Sequence, residues 1–534
     1  MSQKSLPRKA PASAGALAFS VFSALLLFLS VAAALLIVHW HLPCLVDSDD
    51  ASELILGRLL AEEGGLMSRN WYYSTELRVL NTNLFYALFF HFTDNWHAVR
   101  LLSNSCMYLL LLAVYFGMSR AYGFSKVFLL SAAALFLPVS KDYFSFVLKA
   151  AYYLPHITIT FFTLTLAELS VRETGRKGTF ALLTLSFVLS ILAGMGGPRQ
   201  IVILYAPLLF SAGVLFFAEN EGSESGKYFR FALLNFAGSF IGYEINTKLL
   251  SSIYHFMVWE DICFTGLHFS RLADLLNGFL FSYGYSTGSV VSLALFRNIL
   301  CLLWLLLTVG AVCYALRSRR RVSRPFYRLA VFSAFAFLFF VILFLFTDMD
   351  YLDRYNLPII ILSVPLLAAC LGQSRWQERQ QKAVFSVLVA LTGLCSLFFY
   401  RDLTKKDETR ELRNISELLT AQAYDNGYAT FWNANVLTEL SNGEIEVWTW
   451  AIDSDNRALL DIYDINHTVN WLQLTRHDTT HPEGKVFLLF SAEEYENNNW
   501  REHLAENRIL FRSDAYVLVG YDSYEQLAAE WHLS

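Results

Sequence analysis

Three carboxylates stand within four residues near the start of the chain, in the segment Asp47-Ser48-Asp49-Asp50. Aspartate side chains can act as general bases or bind a divalent cation. A structural interpretation competes for one of them, because Asp50 and Glu53 have the spacing of a helix N-cap and its N3 partner. Capping explains neither Asp47 nor Asp49, so the sequence predicts a reactive acidic group at this point.

A second candidate is an arginine that follows three aspartates in the segment 348–358, which reads DMDYLDRYNLP. The guanidinium of Arg354 presents donors in a fork that can bind a phosphate through two hydrogen bonds. The alternative is an Arg–Asp ion pair that anchors the chain at the membrane surface. Ionisable groups at the edge of a membrane are functional candidates by default, so we expect Arg354, with Tyr355 beside it, to belong to a site.

Four further side chains are candidates of lower rank. Lys141 and Arg199 are cations at the edges of apolar segments, and Glu76 lies in an aromatic loop. His156 follows a proline in an apolar run, where a single histidine is more often a hydrogen-bonded packing residue than a ligand. We keep all four as possible members of the site.

The composition indicates a polytopic membrane protein. Of the 534 residues, 55% are hydrophobic and only 16% are charged, against roughly 25% charged in soluble domains. The mean hydropathy is +0.40. This composition excludes a disordered chain, a disulfide scaffold and a nucleic-acid-binding protein, and the seven cysteines show no metal-binding spacing.

Eleven apolar segments are candidates for membrane-spanning helices. Lys and Arg are concentrated in every second connection, which places the N-terminus in the cytoplasm and the region after residue 400 outside. Two long outer loops follow, at about 39–99 and 251–290, each with an amphipathic helical stretch. The predicted spans are 17–38, 100–118, 127–139, 152–171, 179–194, 201–218, 228–250, 291–316, 329–347, 357–373 and 383–400.

The sequence divides into a membrane domain, residues 1–400, and a C-terminal domain, residues 401–534. The second part is rich in Asp, Glu and Asn and has no cysteine or span-length apolar run. Its pattern predicts helices at 407–423 and 492–505 and strands at 428–432, 445–450, 485–490, 509–511 and 516–519. Strands that alternate with helices predict a small extracytoplasmic α/β domain.

Taken together, these motifs and their order resemble the GT-C superfamily of integral-membrane glycosyltransferases. The similarity is to the group of dolichyl-phosphate-mannose protein mannosyltransferases and aminoarabinose transferases. It covers about residues 17–373, and the segment 81–86 lacks the two prolines of the family pattern. The matching segments are 49–58 (DDASELILGR), 81–86 (NTNLFY), 98–103 (AVRLLS) and 354–358 (RYNLP).

The resemblance implies a multi-helix membrane domain with its site on the outer face, and transfer of a sugar from a polyprenyl-phosphate donor with inversion. By position, Asp49 or Asp50 is the general base, and Arg354 binds the donor phosphate with Lys141 or Arg199. A lipid, an envelope glycan or a protein is the acceptor, and no nucleic acid takes part. The resemblance carries no metal requirement; Asp47 and Asp49 are the ligands if a divalent cation binds.

Two other functions remain as alternatives. A transporter or flippase of lipid-linked saccharides would need charges near the bilayer midplane and broken or repeated helices, whereas the charges here lie near the predicted outer edge. A non-catalytic anchor for the C-terminal domain would not need ionisable clusters between its spans. Both therefore rank below a glycosyltransferase located in the plasma membrane.

Overall fold

The computed structural model describes residues 14–74, 79–149, 151–218, 223–256, 263–288, 293–373, 378–450, 471–497 and 506–530. The described residues between 14 and 403 are mostly helical. Their helices are α1 (Ala14–Trp40), α2 (Ser48–Glu63), α3 (Asn83–Phe90), α4 (Trp96–Ala121), α5 (Phe128–Ala134), α6 (Lys141–Tyr143), α7 (Leu154–Arg172), α8 (Arg176–Gly194), α9 (Ala206–Ala218), α10 (Ser223–Glu244), α11 (Arg271–Ser282), α12 (Leu293–Arg317), α13 (Arg324–Phe346), α14 (Leu357–Leu371) and α15 (Glu378–Leu403).

Within the described residues, nine helical segments are long and apolar enough to cross a membrane. Each corresponds to a span that the sequence predicts. The remaining two predicted spans correspond to α5, which has only seven residues, and to the 22-residue α10, which is long enough but less apolar. The nine segments include helices α1, α4, α7, α8, α9, α12, α13, α14 and α15.

Helix α10 packs against α8 through a small-residue surface. Its segment 238–242 reads GSFIG, a spacing that lets two helices approach closely. A Cβ atom on Gly238 would overlap the hydroxyl of Ser190, and one on Gly242 would overlap the carbonyl oxygen of Ile191. The absence of side chains at these two positions therefore allows the contact between the helices.

We expect Gly242→Ala to lower the stability of the helical bundle by about 1–3 kcal/mol, because the added methyl group forces the two helices apart. The measurement is the midpoint of thermal unfolding of the purified protein in detergent. Gly310→Ala is the control, since a Cβ at Gly310 meets no atom within 4 Å. Equal unfolding midpoints for the two variants would contradict the close packing of α8 and α10.

The C-terminal part of the chain forms helices α16 (Arg410–Ala421), α17 (Phe431–Leu440), α18 (Ala492–Asn497) and α19 (Tyr524–Glu530). The strands among the described residues are β1 (Trp71–Tyr73), β2 (His255–Phe256), β3 (Asn426–Thr430), β4 (Glu446–Trp450), β5 (Gln473–Leu474), β6 (Val486–Ser491), β7 (Ile509–Arg512) and β8 (Tyr516–Tyr521). Five of them form a sheet in the order β4-β3-β6-β8-β7. We call residues 410–530 the C-terminal sheet region.

The strands of this sheet match the sequence pattern, with one correction. The predicted strand 428–432 is wrong at its end, because the chain becomes helical at Phe431 and continues as α17. Strand β3 pairs in parallel with β4 and β6, and β8 pairs antiparallel with β6 and β7. Strand β3 lies inside the sheet with residues 427–430 buried, and the helix that follows it packs against it.

A second, three-stranded sheet joins distant parts of the chain. Strand β1 of the first long loop pairs with β2 of the second long loop and with β5 of the C-terminal sheet region. Open strands of this kind do not occur in the hydrocarbon region of a bilayer. The two loops and the C-terminal sheet region therefore lie on the same side of the helical bundle.

Candidate active site

Asp47 is the N-cap residue of helix α2. This residue has an extended backbone, and its Oδ1 accepts a hydrogen bond of 3.0 Å from the N–H of Asp50. The interpretation of Asp50 as the N-cap is therefore wrong: the helix begins one residue after Asp47, which makes Asp47 the cap and Asp50 the third helical residue. The side chain of Asp50 is consequently free of any capping role.

Lys149 holds the two carboxylates together. Its Nζ donates to the carbonyl oxygen of Leu45 at 3.1 Å and to Asp47 Oδ2 at 2.9 Å, and it also contacts Asp50 Oδ2. Lys149 is 4% exposed and Asp50 is 2% exposed, whereas half of the Asp47 side chain is exposed. A buried ammonium is stable only with partners of this kind, so the three side chains form one unit.

Two carboxylates share a single cation in this unit, and their pKa values are shifted in opposite directions. Burial raises the pKa of Asp50 to about 7, with Asp47 adding to the rise and Lys149 opposing it. Burial also acts against ionisation of Asp47, but Lys149 outweighs it and lowers the pKa of that carboxyl. Asp47 is therefore the ionised partner of Lys149, and Asp50 is a carboxylate poised to exchange a proton near neutral pH.

The chain between α5 and α7 connects this unit to the rest of the site. We call residues 140–149 and 151–153 the linking segment; it contains α6 and a π-helical turn, Phe144–Lys149. The hydroxyl of Tyr152 donates to the carbonyl oxygen of Asp49. The Phe146 ring lies 6.3 Å from the ring of Tyr152 and 5.8 Å from that of Tyr153, centroid to centroid. The segment therefore presents an aromatic group directly beside the first turn of α2.

Arg354 also lies against that aromatic group. It belongs to a single turn, Asp353–Asn356, that leads into α14. Its guanidinium carbon is 5.0 Å from the centre of the Phe146 ring and 5.9 Å from that of Tyr355. Within the described parts of the chain the Arg354 guanidinium makes no hydrogen bond or ion pair, so its donors are available to an anion.

Lys141 shares an electrostatic neighbour with Arg354. Lys141 is exposed and Asp142 is half-buried. Burial and the negative charge of Asp353 raise the pKa of Asp142, while Arg354 and Lys141 oppose the rise. Two of the three cations that the resemblance associates with donor phosphate thus act on the carboxyl group of Asp142.

The remaining predicted residues have different positions. Arg199 lies 5.5 Å from the centre of the Tyr153 ring, on the same aromatic group. His156 is buried, and its Nδ1 accepts a hydrogen bond of 2.9 Å from Gln200, which is the packing role expected of a histidine there. Glu76 lies outside the described residues.

The predicted cation site finds no support in the described part of the chain. Nowhere there do three His, Cys, Asp or Glu side chains come together in a group that could hold a metal ion. Asp47 is already neutralised by the ammonium of Lys149, which would repel a second cation. The residues present do not fit a divalent cation, and the reaction proposed below uses none.

Several site residues have no signal in the sequence. Lys149 and Asp47 are 102 positions apart, and no spacing rule connects them. Tyr152 reads as an ordinary interfacial aromatic residue. Glu53, one turn after Asp49, accepts a hydrogen bond of 3.1 Å from Asn81, and only the segments 49–58 and 81–86 together point to that contact.

No protein-family model and no curated protein matches the sequence. Solved structures do match the fold. The structure of ArnT from Cupriavidus metallidurans bound to undecaprenyl phosphate has a TM-score of 0.56 at 13% identity, over 96% of this chain and 98% of that chain. Its apo structure has a TM-score of 0.54 at 11% identity, over 89% and 93% of the two chains.

A third match extends the likeness beyond one enzyme. The Archaeoglobus fulgidus oligosaccharyltransferase, crystallised with Zn and sulfate, has a TM-score of 0.51 at 10% identity. That match covers 88% of this chain and 69% of the other. The chain therefore has the fold of the GT-C membrane glycosyltransferases, as its motifs predict.

Proposed function

We propose that the protein is a membrane glycosyltransferase that moves a sugar from a polyprenyl-phosphate donor to a lipid, envelope glycan or protein on the outer side of the membrane. The observation that carries the proposal is the linking segment. Within fourteen positions it supplies the cation that holds Asp47 and Asp50 and the aromatic ring under Arg354. In the proposal, the proton acceptor and the anion-binding group both adjoin the aromatic side chains of this segment.

The reaction follows from these two groups. The acceptor oxygen or nitrogen attacks the anomeric carbon from the face opposite the phosphate, so the configuration inverts. The bond between the anomeric carbon and the phosphate oxygen breaks, and polyprenyl phosphate leaves with the bonding electrons. Asp50 takes the proton of the acceptor, since a base with a pKa near 7 is matched to neutral pH.

The leaving group gains negative charge on its phosphate, and fixed donors stabilise such charge best in a partly dry site. Arg354 meets this need because its guanidinium lies close to two aromatic rings and has its donors available. Arg199 lies on the Tyr153 ring, and Lys141 acts on the carboxyl group of Asp142 together with Arg354. Both therefore supplement the positive charge near Arg354. The bound undecaprenyl phosphate of the compared ArnT structure supports this class of donor.

The test is transfer of radiolabelled sugar from synthetic undecaprenyl-phosphate donors by the purified, full-length protein, with a panel of envelope lipids, glycans and peptides as acceptors. We expect product with wild type and little with Asp50→Asn or Arg354→Ala. Donor binding without any product, across the whole panel, would favour a transporter or flippase instead. Activity that is equal in all variants would reject the site.

We further infer that the N-terminus faces the cytoplasm and that the C-terminal sheet region is extracytoplasmic. With the exposed cysteines Cys263 and Cys313 replaced by serine, Asp425→Cys should react with a membrane-impermeant maleimide in intact cells. Arg320→Cys, between α12 and α13, is the matched control and should react only after lysis. Asp425 and Arg320, the two positions that receive a cysteine, are exposed. The reverse labelling pattern would overturn this orientation.

A further inference from the structure

The C-terminal sheet region packs directly against the helix that carries the candidate base. Val46 and Ala51, on either side of the first turn of α2, share an apolar cluster with Ala434 and Leu437 of α17. The hydroxyl of Ser48 donates to the carbonyl oxygen of Phe431, the first residue of α17. The surface of α17 therefore forms part of the environment of the first turn of α2.

A buried arginine makes the strongest connection between them. Arg100, in the first turns of α4, is 1% exposed. Its Nε and one terminal nitrogen donate to the two carboxylate oxygens of Glu439 at 3.0 and 2.6 Å. The same terminal nitrogen donates to the carbonyl oxygen of Asp50 at 3.0 Å. One guanidinium thus joins a carboxylate of α17 to the backbone of the candidate base.

We propose that Glu439 is a positioning residue for the reaction: through Arg100 it holds the backbone of Asp50 and with it the first turn of α2. The C-terminal sheet region is then a working part of the active site. The catalytic half of this inference rests on the proposed function, whereas the positioning half does not.

The geometry requires Glu439 for a physical reason. A buried guanidinium that loses its carboxylate is left with an uncompensated charge, and it turns toward any other anion within reach. The nearest are the carboxylates of the Asp47, Asp50 and Lys149 unit, and Arg100 already interacts with both of these aspartates. Without Glu439 the guanidinium should therefore leave the carbonyl of Asp50 and compete with Lys149 for its side chain.

Hydrogen–deuterium exchange tests the positioning half without any substrate. In the full-length protein in detergent, Glu439→Gln keeps the shape of the side chain but removes its charge. We expect the amides of residues 50–54 to exchange about tenfold faster, the change expected from losing a charge-assisted hydrogen bond. Arg100→Lys changes the other partner of the same contact: it keeps the positive charge but cannot make the paired hydrogen bonds of the guanidinium. It should also make the amides of residues 50–54 exchange faster.

Two control variants separate positioning from docking. Glu417→Gln removes an exposed carboxylate of α16 and should change nothing. Asn442→Gly removes two other contacts with the start of α4, to Trp96 N and Asp94 O, and keeps the left-handed backbone at φ 58°. We expect it to leave the amides of residues 50–54 unchanged, because Arg100 is not involved.

Three outcomes would overturn the inference. One is unchanged exchange at residues 50–54 in Glu439→Gln. Another is the same increase in Asn442→Gly, because docking in general would then be responsible. The third is faster exchange in β6 and β8 as well, because Glu439 would then be needed for the folding of the sheet region and not for positioning.

Activity measurements test the catalytic half. With an undecaprenyl-phosphate sugar as donor, Glu439→Gln should lower kcat about tenfold with little change in KM, since it leaves Arg354 untouched. The acid limb of the pH profile should move to lower pH, because an uncompensated Arg100 favours the ionised form of Asp50. The groups that face Asp50 are Asp47, Tyr86, Arg100, Lys149 and Tyr152.

The two halves fail in distinguishable ways. Changed exchange together with a wild type that transfers no sugar would reject the proposed function and leave the positioning contact standing. Active wild type with unchanged exchange, unchanged kcat and an unmoved acid limb in Glu439→Gln would reject the role of Glu439 and leave the proposed function standing.

Discussion

Asp50→Asn is expected to lower kcat for sugar transfer by about a thousandfold, within the range that general bases contribute. The substitution keeps the size of the side chain but removes its ability to take the proton of the acceptor. Lys149 retains Asp47 as its ionised partner, at 2.9 Å, so the fold around the cation should persist. The measurement is the initial rate of transfer, together with thermal unfolding to verify that the variant is folded.

Two companion variants assign the effect to one carboxylate. Asp49→Asn should cost tenfold or less, because Asp49 is held to the linking segment through its backbone oxygen. Asp402→Asn, at an exposed side chain beyond the site, should have no effect. A larger loss in Asp49→Asn than in Asp50→Asn would transfer the role of base to Asp49.

The pH profile gives the same assignment an independent signature. Because the pKa of Asp50 is raised to about 7, the reactive carboxylate is lost as the pH falls below that value. The value of kcat/KM should therefore fall by about tenfold for each pH unit below 7 and level off above it. In Asp50→Asn the residual activity should lack this acid limb, and a profile that is flat from pH 5 to 8 in wild type would contradict the role of Asp50.

The sequence predicts those parts of the site that are local along the chain. The carboxylates at 47–50 come with an amphipathic pattern, so both the helix α2 and its acidic first turn could be predicted. Arg354 could be predicted as well, because it stands in a short polar loop between two long apolar runs. In each case one element contains both the reactive side chain and the pattern that positions it.

Contacts between distant elements could not be predicted in this way. Lys149 lies in a π-helical turn, and its partners come from a loop 102 residues earlier. The Arg100–Glu439 pair connects residues that are 339 positions apart. From the sequence alone, an arginine at a membrane edge is therefore interpreted as a side chain that extends into solvent. Glu439, the partner that shows Arg100 to be buried and paired, is too far along the chain to be found from the residues around Arg100.

One error in secondary structure has a tertiary cause. The strand β3 ends at Thr430 although the β-forming residues Phe431 and Trp432 follow. Packing of the next ten residues on α2 stabilises a helix there, and such tertiary contacts override local propensity.

Arg354→Ala is expected to lower kcat/KM for the lipid-linked donor by about a hundredfold to a thousandfold, the cost of removing one group that stabilises developing charge. The alanine variant loses the only part of the turn Asp353–Asn356 that can donate to phosphate as a fork. The loss should be larger in kcat than in KM, because the charge on the phosphate grows as the bond to the sugar breaks.

Arg354→Lys distinguishes the fork from the charge. A lysine keeps the positive charge but cannot make two parallel hydrogen bonds or present a planar group to the rings of Phe146 and Tyr355. We expect it to recover about a tenth of the wild-type rate or less. Arg401→Ala, at an exposed arginine paired with Asp402, is the matched control and should retain full activity. Full activity in Arg354→Ala would remove Arg354 from the donor site and shift that role to Arg199, which lies on the Tyr153 ring, or to Lys141, which acts on Asp142.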